Sequence, residues 1–249
     1  MIAQEPKISY SAEDIKQSYG AAKADEERYT EWVVHYCYRP LSFKVTPFFL
    51  RWGFSPSNVT FLSLILAFLL PWVGSWNEVS YLLVGLMAFL ISVFDCVDGN
   101  IARVTGMVSK KGHYFDFLTD ILYRVLFYLA IGIMVSLSAP VDSYLASIAT
   151  ECLLIAASLA IIARMCRVYA SVEFFSSTEQ PEKAKENEQK SNWLDDFFFP
   201  FFSGLDWALP FAVIIFGFFG LMHWILVWLV LYSVLDFVYT QYSIFSKLP

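Results

Sequence analysis

Four aspartates are the residues of this chain most able to do chemistry. Asp95 and Asp98 stand three apart, Asp116 and Asp120 four apart, in the run DCVDGNIARVTGMVSKKGHYFDFLTD. On a helix, spacings of three and four place both side chains on one face. Two such pairs on successive helices face each other across a reversal, and Gly106 and Gly112 in the link permit a tight one. An aspartate at the centre of a membrane span costs about 2.5–3.5 kcal/mol. Four converging carboxylates also repel one another strongly, and bound cations relieve that repulsion. Oxygen-only ligands favour Mg2+, Ca2+ or Mn2+ over zinc, and no His or Cys cluster offers a softer site. His113 falls inside the run without a ligand pattern of its own. The plainer alternative is that the four acids are solvated helix ends or ion pairs, with Lys110 and Lys111 screening some of the charge.

The elements that hold these residues read as membrane spans. The chain has 249 residues, 57% hydrophobic, 18% aromatic and only 16% charged, where a soluble domain carries about 25% charged residues. The apolar residues are gathered into runs close to the ~20 residues that a helix needs to cross a bilayer. Six spans are expected, at 58–74, 79–103, 112–137, 143–169, 199–219 and 222–245. The fold class is therefore all-α, a polytopic membrane protein with six transmembrane helices after an N-terminal interfacial amphipathic segment. The organisation is expected to be 1–54 as that cytoplasmic or interfacial segment and 55–249 as the six-span domain, with 171–198 a charged cytoplasmic loop. Residues 1–28 are polar. Residues 29–54 mix aromatics with Arg39, Lys44 and Arg51, a composition suited to lying among lipid headgroups. No apolar core precedes a cleavage site, so entry by the chain's own spans is expected.

Basic residues set the orientation. The links near 75–78, 138–142 and 220–222 contain no Lys or Arg. With both termini cytoplasmic, the basic residues fall on or toward the cytoplasmic side, with Arg124 alone deep in a span. The aspartates then lie at the cytoplasmic ends of the second and third spans. The membrane is a cell or inner membrane in a bacterium and one of the endoplasmic reticulum type in a eukaryote. The net charge of −6 does not suggest nucleic acid as a partner. Cys37, Cys96, Cys152 and Cys166 have no disulfide or zinc spacing and read as small apolar fillers.

At the aspartate run the sequence resembles the CDP-alcohol phosphotransferase (CDP-alcohol phosphatidyltransferase) family. The family pattern D-x2-D-G-x2-A-R-x8-G-x3-D-x3-D is met by Asp95, Asp98, Gly99, Ala102, Arg103, Gly112, Asp116 and Asp120. Upstream, Pro56-Ser57-Asn58-Val59-Thr60 keeps the Pro and Thr of a second family motif, with Ser57 where that motif has Asn. The resemblance implies a CDP-linked lipid donor, an alcohol acceptor, release of CMP and a homodimer in the bilayer. It implies two divalent ions, Mg2+ or Mn2+, held by Asp95, Asp98, Asp116 and Asp120, with Asp120 also the general base. It implies nucleotide binding at Gly99, Ala102, Arg103, Gly112 and Thr60, with Asn58 standing in for the motif Asn.

Arg124 continues the Asp120 stripe, and Arg164 and Arg167 sit at the cytoplasmic end of the fourth span. Each reads as a contact to an anionic acceptor or, alternatively, as an ion pair or a positive-inside anchor. Asp206 and Asp236 read as local partners for basic groups. Trp72, Trp76, Trp224 and Trp228 read as interface anchors or packing. Three alternatives stand beside phosphatidyl transfer to a polar alcohol. The first is transfer of a phospho-headgroup from a CDP-linked alcohol to a lipid hydroxyl. The second is an intramembrane prenyltransferase, whose aspartate motifs lie far apart in sequence. The third is a divalent cation transporter, which wants acids along a whole pathway.

Overall fold

The computed structural model describes residues 10–77, 79–138, 144–173 and 199–247. Most of the expected loop 171–198 and the start of the N-terminal segment lie outside them. The described residues are mostly helical, joined by short turns and links, and contain no strand. Three short helices come first: α1 (Ala12–Tyr19), α2 (Ala21–Thr30) and α3 (Arg39–Arg51), with a π-helical turn at Val34–Tyr38. Ser11 caps α1 in a reciprocal box with Asp14, which satisfies two backbone donors at its start. Long helices follow: α4 (Pro56–Gly74), α5 (Ser80–Thr105), α6 (Lys110–Ser138) and α7 (Tyr144–Glu173). The chain closes with α8 (Phe199–Asp206), α9 (Leu209–Phe218) and α10 (Met222–Lys247).

Five of these helices are long and apolar enough to cross a membrane: α4, α5, α6, α7 and α10. The fifth expected segment, 199–219, departs from one continuous span. It is divided at Trp207–Ala208 into α8 and the shorter apolar α9. The reason is Pro210, in the first turn of α9. Proline has no N–H, and its ring crowds the carbonyl four residues back, here that of Asp206. The break leaves backbone groups without helical partners. One is recovered by Tyr38, whose hydroxyl donates to the Trp207 carbonyl at 2.5 Å.

Each long helix buries one stripe and turns the other outward. On α4, Val59, Ser63, Ala67, Leu70 and Val73 are buried, while Phe61, Ile65, Phe68 and Trp72 are exposed. The buried spacing of three and four is that of an amphipathic face, here between protein and lipid. The main core is built from α4, α5, α6, α7, α9 and α10, with Leu70, Val84, Phe127, Ile131, Leu153, Val213 and Leu229 among its members. A second cluster under α3 joins Val34, Tyr38, Val59, Val93, Val97 and Ile101. α4 packs extensively on both α5 and α6, whereas those two touch each other little. The hairpin that carries the aspartates is thus held open by a wedge, the helix before it. Glycine lets α9 approach α5 closely: a Cβ at Gly85 would lie 2.4 Å from Ile214 Cγ1.

The first helices are not a loose surface layer. α1 and α3 pack on α5, around its C-terminal residues Cys96 and Asn100. Arg39, read from sequence as facing headgroups, points inward and is 7% exposed, because it pairs with buried Glu27.

Candidate active site

The link between α5 and α6 is shaped by its own residues. Gly106 ends α5 in the left-handed region at φ 69°, a conformation that costs glycine little. Ser109 then starts α6, its hydroxyl accepting from the Gly112 N–H at 3.0 Å. The reversal brings both aspartate pairs toward the N-terminal end of α4.

One cleft there is lined by Asp95 and Asp98 from α5, Asp116 and Asp120 from α6, and Thr60 and Ser63 from α4. It encloses about 330 Å³ of open space, mouth included. Asp98 is the most buried of the four acids, at 8% exposure, and accepts a 2.7 Å hydrogen bond from the Thr60 hydroxyl. Asp120 forms an ion pair with Arg164 of α7, whose guanidinium also lies over the Phe117 ring. Among the described residues no other cation forms an ion pair with any of the four. Thr119 lines the cleft with its hydroxyl buried and without a hydrogen-bond partner.

This ligand set fits hard divalent cations in chemistry: four carboxylates in one cleft with one guanidinium against them, and a Thr119 hydroxyl oxygen without a hydrogen-bond partner. In the present arrangement no three His, Cys, Asp or Glu side chains are grouped at metal-binding spacing among the described residues. Asp98 is turned to Thr60 and Asp120 to Arg164, which accounts for two of the four standing apart.

The other sequence-predicted residues divide. Thr60 is in the cleft, bonded to Asp98. Asn58 is exposed and turned to the helix start, its side-chain oxygen accepting from the Ser55 hydroxyl at 2.9 Å. Gly99 and Ala102 are half-buried and Gly112 lies beside Ser109; none of them lines the cleft. Arg103 is exposed, donates to Asn100 Oδ1 at 2.8 Å and faces the Tyr19 ring. His113 is exposed.

The three arginines all meet carboxylates. Arg124 pairs with Asp206 at the end of α8. Both line a chamber that adjoins the cleft and shares Ser92, Asp120, Tyr123 and Trp207 with it. Arg164 holds Asp120, as above. Arg167 pairs with Asp236 at 2.8 Å and with the Thr240 hydroxyl at 2.6 Å, joining α7 to α10 away from both spaces.

Sequence reasoning missed Ser63, Ser92, Thr119, Tyr123 and Trp207 as lining residues. Helical spacing held the signal for four of them: Ser63 follows Thr60 by three, Ser92 precedes Asp95 by three, Thr119 follows Asp116 by three, and Tyr123 follows Asp120 by three. Trp207 arrives from a distant helix break that no local pattern announces.

Comparison with known proteins supplies the remaining finding. The family model described as CDP-alcohol phosphatidyltransferase matches residues 54–235. No curated protein matches the chain. The chain belongs to the CDP-alcohol phosphatidyltransferase family, and with its membrane-crossing helices it is a membrane transferase of substituted phosphate groups.

Proposed function

We propose that this family member moves a phosphatidyl-type group from a CDP-lipid, of the CDP-diacylglycerol kind, to a polar alcohol, releasing CMP in the aspartate cleft. The observation that carries the reading is that all four motif aspartates line one cleft with a single guanidinium paired to them. Asp95, Asp98 and Asp116 would hold Mg2+ or Mn2+, with Asp120 completing the set. When bound, such ions neutralise diphosphate charge and stabilise the charge that develops in transfer.

The protein's own part is positioning and proton transfer. An alcohol hydroxyl, with a pKa comparable to water at about 16, is a poor nucleophile at neutral pH. Asp120 takes its proton. The acceptor oxygen then bonds to the β-phosphorus of the donor, and the bond from that phosphorus to CMP breaks. Thr60 orients Asp98 through their hydrogen bond. Arg103, exposed at the cytoplasmic end of α5, contacts the donor diphosphate. The active form in this reading is a homodimer with the cleft and both termini cytoplasmic; the links without Lys or Arg support that orientation.

The test is CMP release from CDP-diacylglycerol by the purified chain, with inositol phosphate, glycerol phosphate, serine and simple polyols as acceptors. CMP should appear with one acceptor class in Mg2+ or Mn2+ and vanish in excess chelator. Full activity in chelator sinks the metal roles. CMP formed only from a CDP-linked alcohol plus diacylglycerol reverses the direction of transfer.

A further inference from the structure

The family match begins at residue 54, yet the helices before it contribute some of the most thoroughly buried polar side chains of the molecule. Glu27 is 1% exposed, Arg39 7%, and Ser42 and Thr46 0%. Burying an ion pair is costly unless its remaining hydrogen-bonding groups are satisfied, and here they are. Glu27 accepts from both Arg39 and the Tyr19 hydroxyl, the latter at 2.6 Å. Arg39 reaches α5, donating to the Cys96 carbonyl at 3.3 Å and to Asn100 Oδ1 at 3.4 Å. The Asn100 amide nitrogen, fully buried, donates to Ser42 at 3.0 Å and Thr46 at 3.1 Å.

The network ends on the catalytic motif. Asn100 and Arg103 both lie in the stretch Asp98-Gly99-Asn100-Ile101-Ala102-Arg103. Asn100 Oδ1 accepts from Arg39 and from Arg103. The Tyr19 ring is faced by both guanidinium groups, Arg39 at 4.8 Å and Arg103 at 5.7 Å. Three charges thus share one assembly: Glu27 negative, Arg39 and Arg103 positive. Glu27 is spent on Arg39, and among the described residues Arg103 forms no ion pair. Arg103 is therefore oriented by Asn100 and Tyr19 without being neutralised. It sits five residues beyond Asp98, about 7.5 Å further along the helix axis toward the cytoplasm.

We propose that Glu27 is a positioning residue for the transfer reaction: through Arg39, Asn100 and Tyr19 it holds Arg103 directed and charge-uncompensated toward an incoming diphosphate. The inference rests on the reading of this chain as a CDP-donor transferase. It makes the helices before the family boundary part of the donor site. Removing the Glu27 charge leaves Arg39 without its counter-charge. Arg39 then competes with Arg103 for Asn100 and for the Tyr19 face, and Arg103 loses its orientation.

The experiment measures CMP release by the full chain in vesicles, with KM for CDP-diacylglycerol and KM for the acceptor determined separately. Glu27→Gln should raise the donor KM about tenfold, the effect of a lost charge-assisted contact, with the acceptor KM unchanged. Adding Glu27→Gln to Arg103→Gln should bring no further loss, since Glu27 acts through Arg103. Tyr19→Phe keeps the ring but not the hydroxyl, and should raise the donor KM in the same direction by less. It decides the matter if Glu27→Gln fails to accumulate. Unchanged donor KM, equal rises in both KM values, or additive losses overturn the proposal. So does loss of both single variants from the membrane, which would make the network a folding element only. Absence of CMP from the unaltered protein instead removes the transferase reading itself, and this inference with it.

Discussion

The C-terminal half of α5 serves two polar clusters on different faces, and they are built on opposite terms. On one face, Glu27, Arg39 and Asn100 answer one another: the carboxylate has two donors, and the amide is bonded at both its oxygen and its nitrogen. On the other, four aspartates share one arginine, and the Thr119 hydroxyl is buried with nothing to bond. A network that is complete without a ligand stabilises the fold and fixes its geometry. One that carries excess charge and an idle donor stores unfavourable energy that a bound cation or substrate relieves. Similar residues a few positions apart on one helix therefore divide into scaffold and site by whether their needs are met.

That contrast can be broken most sharply at Asp120. Asp120→Asn should lower kcat for CMP release by about 10²–10⁴-fold, the usual worth of a general base, with normal insertion in the membrane. Turnover within a few-fold of the parent would remove Asp120 from that role. The scaffold side is probed by Arg39→Ala, which leaves Glu27 buried without its cation. Loss of one member of a buried pair costs about 3–5 kcal/mol, so the unfolding midpoint in detergent should fall steeply. An unmoved midpoint would mean that the network holds nothing together.

Thr60→Val tests the seam between the two kinds of cluster. It preserves shape and deletes the hydroxyl that orients Asp98. Loss of such an outer partner costs about 10–100-fold in metal affinity or activity, visible as a shift of the Mg2+ titration to higher concentration. A titration that stays in place makes the bond incidental. The smallest effect has the opposite sign. Asp95→Asn removes one of four mutually repelling carboxylates, so metal-free protein should gain about 1 kcal/mol in stability while CMP release is lost. A lower midpoint in chelator would show that the cleft is not under electrostatic stress.

Much of this was legible in the chain because it is local. The aspartate spacing names a helix face, the apolar runs locate the long helices within a few residues, and Gly106 marks the end of α5. What was not legible depends on partners distant in sequence. The division of the fifth segment had a local cause in Pro210, but its place beside the cleft is fixed by the contacts of Arg124 with Asp206 and Tyr38 with Trp207. Arg124, Arg164 and Arg167 were each readable as a ligand contact or as an ion pair or anchor, and only the fold supplies the carboxylate. The N-terminal helices read as a polar surface layer because their buried stripe is thin. Ile15, Tyr19 and Glu27 are few among many exposed residues, and a glutamate raises no expectation of burial.

The wedge arrangement and the Asn100 bonds also bear on where this protein can be shortened. Similarity draws its first boundary at residue 54, and a truncation made there would look conservative. It would remove Ser42, Thr46 and Arg39 together, and so strip a fully buried amide on α5 of those three partners while exposing Val59, Val97 and Ile101 to water. Such a trimmed chain would keep every residue of the aspartate motif and lose the floor beneath it. The smallest piece that can carry the site begins well before the piece that resembles its relatives.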